Sequence, residues 1–125
     1  MKLHLTTAEN NYLITACDES FIEINKQRYL SSLIVFPNKI MVDWQATDFA
    51  TLDNLLFQPI AALKPEVVLL GTGVKHQFLH PKHYACLTDN GIALECMTTA
   101  AACRTYNILM SEGRQVAAAL ILSSR

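Results

Sequence analysis

Ile92-Ala93-Leu94-Glu95-Cys96-Met97-Thr98-Thr99-Ala100-Ala101-Ala102-Cys103-Arg104-Thr105-Tyr106-Asn107 is the stretch whose reading decides the fold. The apolar run Ile92 to Cys96 predicts a strand, and at the two threonines the pattern changes to a helical one that continues to Glu112. Thr98 and Thr99 both suit the N-cap, because a short hydroxyl side chain can accept from the free amides of the first turn. Gly113 is the expected stop, and Val116 to Leu122 supplies the next strand.

Upstream, Val67-Val68-Leu69-Leu70 is apolar without alternation, which is how a strand covered on both faces reads. Gly71-Thr72-Gly73 ends it. Pro81 suits the first position of a helix reaching about Asn90, and Gly91 terminates that helix before the Ile92 strand. The order from Glu66 is therefore strand, helix, strand, helix, strand. Such units pair in parallel through right-handed crossovers, so the three strands should share one sheet.

The N-terminal part reads as antiparallel strands. Tyr12 to Cys17, Phe21 to Ile24 and Gln27 to Leu30 are candidates, with Asn25-Lys26 as a two-residue turn. Leu33 to Phe36 is a continuous apolar arm stopped by Pro37-Asn38, and Ile40, Val42 and Trp44 then alternate with Met41 and Asp43. Thr51 opens a helical stretch carrying Leu52, Leu55, Leu56, Ile60 and Leu63, in which Pro59 is expected to force a break or kink. The fold class is α/β: a single layered domain over residues 1–125, with N-terminal antiparallel strands and a C-terminal β-α-β-α-β unit whose parallel strands lie in a mixed sheet.

Composition narrows the function classes. A chain of 125 residues with 51% hydrophobic and 17% charged residues suits one core with a lightly charged surface. Its formal charge of −1 offers no basic footprint for nucleic acid. No apolar run reaches the roughly 18 to 20 residues that span a bilayer, and Met1 to Asn10 lacks the pattern of a secretory signal, so a cytoplasmic protein is expected. Cys17, Cys86, Cys96 and Cys103 have no C-x-x-C spacing and read as packed, reduced thiols. Cys96 and Cys103 are the pair to watch, since a thiol near a helix N-terminus can have a lowered pKa.

Parallel strands place their carboxyl ends on one edge, so Gly71, Thr72 and Gly73 should lie beside Thr98 and Thr99, where open α/β sheets hold ligands. Free amides at the helix start and the absence of Cβ atoms at Gly71 and Gly73 suit a small anion. The same residues equally serve a tight turn and a helix cap, and G-x-G alone does not define a dinucleotide site. At about 100° per residue, Ala102, Cys103, Tyr106, Leu109 and Met110 share the core face of the helix, while Arg104, Asn107, Ser111 and Ile108 point away. Arg104 is thus a candidate for either ligand or partner binding, and Lys75 and Asn107 are candidates for partner binding. Lys75, His76, His80 and His83 surround the second helix start. The histidines lack acidic or thiolate companions, so no metal and no cofactor is expected.

Leu69-Leu70-Gly71-Thr72-Gly73, Gly91-Ile92-Ala93-Leu94-Glu95, Thr99 to Asn107, Glu112-Gly113-Arg114 and Ala117-Ala118-Ala119-Leu120 closely resemble a family of small prokaryotic domains of unknown activity. Its eukaryotic relatives include a mitochondrial respiratory complex I assembly factor and an adipogenesis-associated protein. The resemblance is strongest over residues 66–122, and it implies a layered domain joining antiparallel strands to an α/β unit. Where relatives usually carry aspartate, this chain has Thr98, which removes the acid most suited to general acid-base work. Ala93 stands where bacterial relatives often have a second glycine.

Two functions follow. The resemblance implies a non-enzymatic binding or assembly-factor-like module with a protein partner, linked to respiratory complex I. The crevice implies instead an enzyme or sensor for a small anionic ligand. Lys75 and Arg104 separate the two readings. Convergence on the crevice favours a ligand, and a position on an exposed face beside apolar residues favours a protein interface.

Overall fold

A computed structural model describes residues 11–122 of the chain. The reading of Met1 to Asn10 lies outside the described residues. Eight strands are present among those described: β1 (Ile14–Cys17), β2 (Ile22–Ile24), β3 (Gln27–Tyr29), β4 (Leu33–Phe36), β5 (Lys39–Met41), β6 (Val67–Gly71), β7 (Ala93–Met97) and β8 (Val116–Leu120). The α-helices are α1 (Asn54–Leu63), the short α2 (Ala85–Thr88) and α3 (Thr99–Ser111). Single 3-10 turns occupy Phe49–Thr51 and Pro81–Tyr84.

The five-stranded sheet has the order β5-β4-β8-β6-β7, with β6 parallel to both β7 and β8, and β4 antiparallel to β8 and β5. The expected mixed sheet with parallel β-α-β-α-β strands is therefore present. A separate antiparallel sheet, β1-β2-β3, forms the second layer. Its β2-β3 hairpin turns at Asn25 and Lys26, with φ of 50° and 72°. Two consecutive positive φ values are the requirement of a type I′ turn, and Asn tolerates that region better than most residues. Asn25 also accepts from the Leu13 amide at 2.9 Å, which locks the turn against β1.

The continuous apolar arms are buried on both faces, as their lack of alternation predicts. Ile34, Phe36, Val68, Leu70, Ala117 and Ala119 face one core, shared with Phe57 and Ile60 of α1 and Leu87 of α2. Leu33, Val35, Val67, Leu69, Val116 and Ala118 face the other, shared with Ala102, Cys103, Tyr106 and Met110 of α3 and Ile14, Ile22 and Ile24 of the small sheet. Strand period two thus assigns each neighbour to an opposite layer.

Three details of the sequence reading change. Helix α1 continues through Pro59. The carbonyl that loses its partner belongs to Leu55, which is exposed together with Pro59, so water can replace the missing amide. Asp53 caps the helix by accepting from the Leu55 and Leu56 amides at 3.0 and 3.3 Å. In the arm after Pro37, Val42 is exposed and Trp44 buried. A φ of 55° at Asp43 turns the chain there, and the Trp44 indole N–H reaches the Leu56 carbonyl at 2.9 Å. The region after Pro81 forms one 3-10 turn and a single α-turn, with Gly91 at φ 73° ending it.

Candidate functional site

Pairing of Gly71 with Met97 in the β6-β7 register places the loops after both strands on one edge. The Thr72 amide donates to the Met97 carbonyl at 2.8 Å, and the Thr72 hydroxyl lies 2.7 Å from the Lys75 carbonyl. Thr98 is the N-cap of α3, its hydroxyl accepting from the Ala101 amide at 3.2 Å. Thr99 has a different task. Its hydroxyl accepts from the Gly73 amide at 2.9 Å and donates to the Ile121 carbonyl at 3.2 Å, while its own amide donates to the Gly73 carbonyl at 2.9 Å.

These bonds change the meaning of the two glycines. A Cβ on Gly71 would stand 2.9 Å from the Thr99 Cα, so this glycine admits α3 to the sheet edge rather than a ligand. Gly73 has open space around it but a φ of 100°, and serves the turn. The Gly73, Thr99 and Ala101 amides are already engaged within the chain, while Ala100, also of the first helical turn, lines the cavity that opens here.

A cavity of about 400 Å³ does open at this edge, and Gly73, Thr98 and Thr99 line it. Its remaining wall includes Cys17, Asp18 and Glu19, contributed by the end of β1. The sequence reading missed these residues because nothing local places the end of β1 across from α3. Two carboxylates at the rim oppose an anionic ligand. Gly71, Thr72, Lys75 and Arg104 are not among the cavity-lining residues.

Lys75 stands on an exposed loop next to Val74, and Phe78 follows on the same loop; Val74 and Phe78 are 72% and 79% exposed. The loop is held in place. The His76 ring contacts the Cys96 carbonyl at 3.0 Å, and the Phe78 ring meets His76 edge-on at 4.4 Å between centroids. Arg104 is exposed on α3, as the helix angle predicts. Asn107, by contrast, is half-buried and turned onto β1, accepting from the Ile14 amide at 3.0 Å and donating to the Ile14 carbonyl at 2.7 Å. Its placement away from the core face fails because the small sheet covers that flank of the helix.

All four cysteines are free and partly or fully buried, and Cys96 and Cys103 do not meet. Cys96 packs on the α1 side of the sheet and Cys103 on the α3 side, so the sheet itself separates them. Burial pushes the Cys86 and Cys96 thiols up. Cys103 belongs to the core cluster against which Cys17 packs. His80 uses its Nδ1 to accept from the Lys82 amide at 3.1 Å, and among the described residues no cluster of three or more metal-binding side chains forms.

The architecture is thus a mixed α/β domain whose carboxyl edge carries a cavity with an acidic wall and a fixed loop with apolar side chains. The chain belongs to the family described as a protein of unknown function, DUF498/DUF598, whose pattern matches residues 14–121. It is 31% identical over 122 residues to "NADH dehydrogenase [ubiquinone] 1 alpha subcomplex assembly factor 3" of Xenopus tropicalis, covering 96% of this chain and 66% of that one. The mouse protein of the same name is 34% identical over 96 residues, covering 75% of this chain and 51% of its own length. The chain therefore spans about half to two thirds of the length of these relatives. A Bordetella parapertussis protein of known crystal structure superposes with a TM-score of 0.84 at 37% identity, covering 90% of this chain and 97% of that one. The family resemblance and the fold class expected from the sequence are both borne out. Among the described residues no helix is long and apolar enough to cross a membrane.

Proposed function

We propose that this chain is a non-enzymatic, cytoplasmic protein-binding module of the assembly-factor kind, and that its partner is a component of the respiratory NADH dehydrogenase. The observation that carries this reading is the loop holding Val74, Lys75 and Phe78. Two large apolar side chains stand in solvent on a backbone fixed by the Thr72 and His76 hydrogen bonds. An aromatic ring held in place before binding loses little conformational entropy on docking, which is how interface anchors gain affinity. Lys75 beside them adds a charge suited to a polar rim. Arg104, exposed on α3, is a second candidate contact. Kinship with proteins named as assembly factors supports the class of partner.

A small-anion sensor at the Gly73 and Thr99 crevice is the second reading. The cavity favours it, but the engaged amides and the Asp18 and Glu19 wall do not. Phosphate or sulfate at millimolar concentration is accordingly expected to leave the melting temperature unchanged. A saturable rise that disappears in Gly73→Val would restore the anion reading.

The docking reading is tested with the Val74→Ser, Phe78→Ser double variant. Both side chains are solvent-exposed, so its melting temperature should match that of the wild type. Removing the anchors should weaken binding to NADH dehydrogenase components at least about thirtyfold, the equivalent of roughly 2 kcal/mol. Equal co-isolation of these components with both proteins would place the interface elsewhere.

A further inference from the structure

We propose that the cavity at the carboxyl edge receives a lysine or arginine side chain of the protein partner, its aliphatic stem over the buried floor and its charged head at Asp18 and Glu19. The proposal rests on the docking reading for the partner's position beside the cavity, and adds the chemistry that the partner has to present there.

The residues lining the cavity separate by exposure. Thr99, Ile121 and Leu122 are buried and form the floor, while Asp18, Glu19, Val74 and Ala100 are exposed and form the rim. The polar groups of the floor are already engaged. The Thr99 hydroxyl joins the Gly73 amide to the Ile121 carbonyl, the Ile121 amide donates to the Gly71 carbonyl at 3.1 Å, and the Leu122 amide donates to the Ser32 hydroxyl at 2.9 Å. What the floor offers an incoming group is therefore apolar surface, which favours methylene groups leaving water.

The rim has the opposite character. Asp18 and Glu19 are consecutive in the turn after β1, where the Asp18 amide donates to the Phe21 carbonyl at 3.0 Å. Among the described residues the ion pairs join Arg28 to Glu23 and Arg114 to Glu66, and no lysine, arginine or histidine lines the cavity. Two neighbouring carboxylates thus stand without a cation, and one entering between them relieves their repulsion. A group that is aliphatic along its length and cationic at its tip meets both demands, and among side chains only lysine and arginine have that build. The first turn of α3 carries partial positive charge at Ala100, which directs the head toward Asp18 and Glu19.

The occupant comes from the protein partner because the cavity and the docking loop share a residue. Val74 stands on the rim and also belongs to the exposed apolar pair with Phe78. A partner seated on Val74 and Phe78 covers the cavity mouth, so a basic residue flanking its apolar contact enters the cavity.

The test begins with wild-type, nitrogen-15-labelled protein, titrated with N-acetyl-lysine methylamide and with its norleucine counterpart, which keeps an aliphatic stem and lacks the charge. The lysine compound should move the amide signals of Glu19, Val74, Ala100 and Leu122 saturably. It should bind about fivefold more tightly than the norleucine compound, an advantage that shrinks at about 0.5 M salt. Asp18→Asn with Glu19→Gln keeps the size of both side chains, so the melting temperature should hold while the preference for lysine disappears. The same double variant should bind NADH dehydrogenase components about fivefold more weakly than the wild type. Equal binding of the two compounds, or shifts confined to other surfaces, would overturn the proposal, and this comparison needs no variant to fold. Lysine binding in the cavity with component binding unchanged in the double variant would also overturn it, giving the site to a free amine. Component binding lost in Val74→Ser, Phe78→Ser but kept in the carboxylate variant leaves the docking loop standing and removes the cavity contact; the reverse pattern supports the cavity contact and removes the loop.

Discussion

Replacing Tyr106 by alanine should lower the unfolding free energy by about 3 to 5 kcal/mol, the range for truncating a large buried aromatic. Tyr106 has no solvent exposure and sits where α3, the large sheet and β1 meet. Two losses combine. The ring leaves a hole between rigid layers that cannot collapse freely, and the Tyr12 carbonyl loses the hydroxyl that donates to it at 2.7 Å. Tyr106→Phe isolates the second loss and should cost only about 1 kcal/mol. Both values come from urea denaturation followed by circular dichroism. An alanine variant within 1 kcal/mol of the wild type would mean that the small sheet is not held by this helix.

Gly71→Val carries the second large effect. The added Cβ would meet the Thr99 Cα at 2.9 Å, the Thr99 hydroxyl at 3.0 Å and Leu120 Cδ2 at 3.1 Å. The first of these atoms is backbone, so relief requires α3 to move off the sheet edge, breaking the Thr99 bonds to Gly73 and Ile121. Overpacking of this kind costs about 1 to 3 kcal/mol and more where backbone must shift, a large share of the roughly 5 to 15 kcal/mol that holds a domain. Gly73→Ala meets nothing within 4 Å and is strained only through its φ of 100°, so it should cost less, about 1 kcal/mol. Denaturant midpoints of the two variants check the order. A milder effect at Gly71 than at Gly73 would contradict the packing account.

The C-terminal half of the fold was legible because its signals are local. Apolar runs without alternation, a threonine cap and glycines at helix ends suffice to order β6, β7, α3 and β8, and the handedness of crossovers then fixes their pairing. The N-terminal hairpin was legible for the same reason, through Asn25-Lys26. What sequence could not supply was the placement of β1 across α3, since hydrogen bonds joining residues more than ninety positions apart, such as Tyr106 to Tyr12, leave no short-range pattern. Asn107, Asp18 and Glu19 take their positions from that crossing; the first was misread and the other two were passed over. Gly71 and Thr99 were correctly placed at the edge, but their chemistry was inward. A glycine that accommodates a ligand and one that accommodates a helix look the same until the neighbour is known. Helix α1 shows the opposite case, where Pro59 does not break the helix and stands on its exposed side together with Leu55.

The central claim is that the carboxyl edge is a protein-docking face built on the loop from Val74 to Phe78. Its most direct test is site-specific photocrosslinking in cells that make the protein, with a benzoyl-phenylalanine in place of Phe78 and, as control, in place of Leu55, which is 71% exposed. The account predicts a discrete crosslink from position 78 to a subunit or assembly intermediate of the respiratory NADH dehydrogenase, and none to these components from position 55. A crosslink to such a component from position 55 but not from 78, or no crosslink from 78 at all, would contradict it.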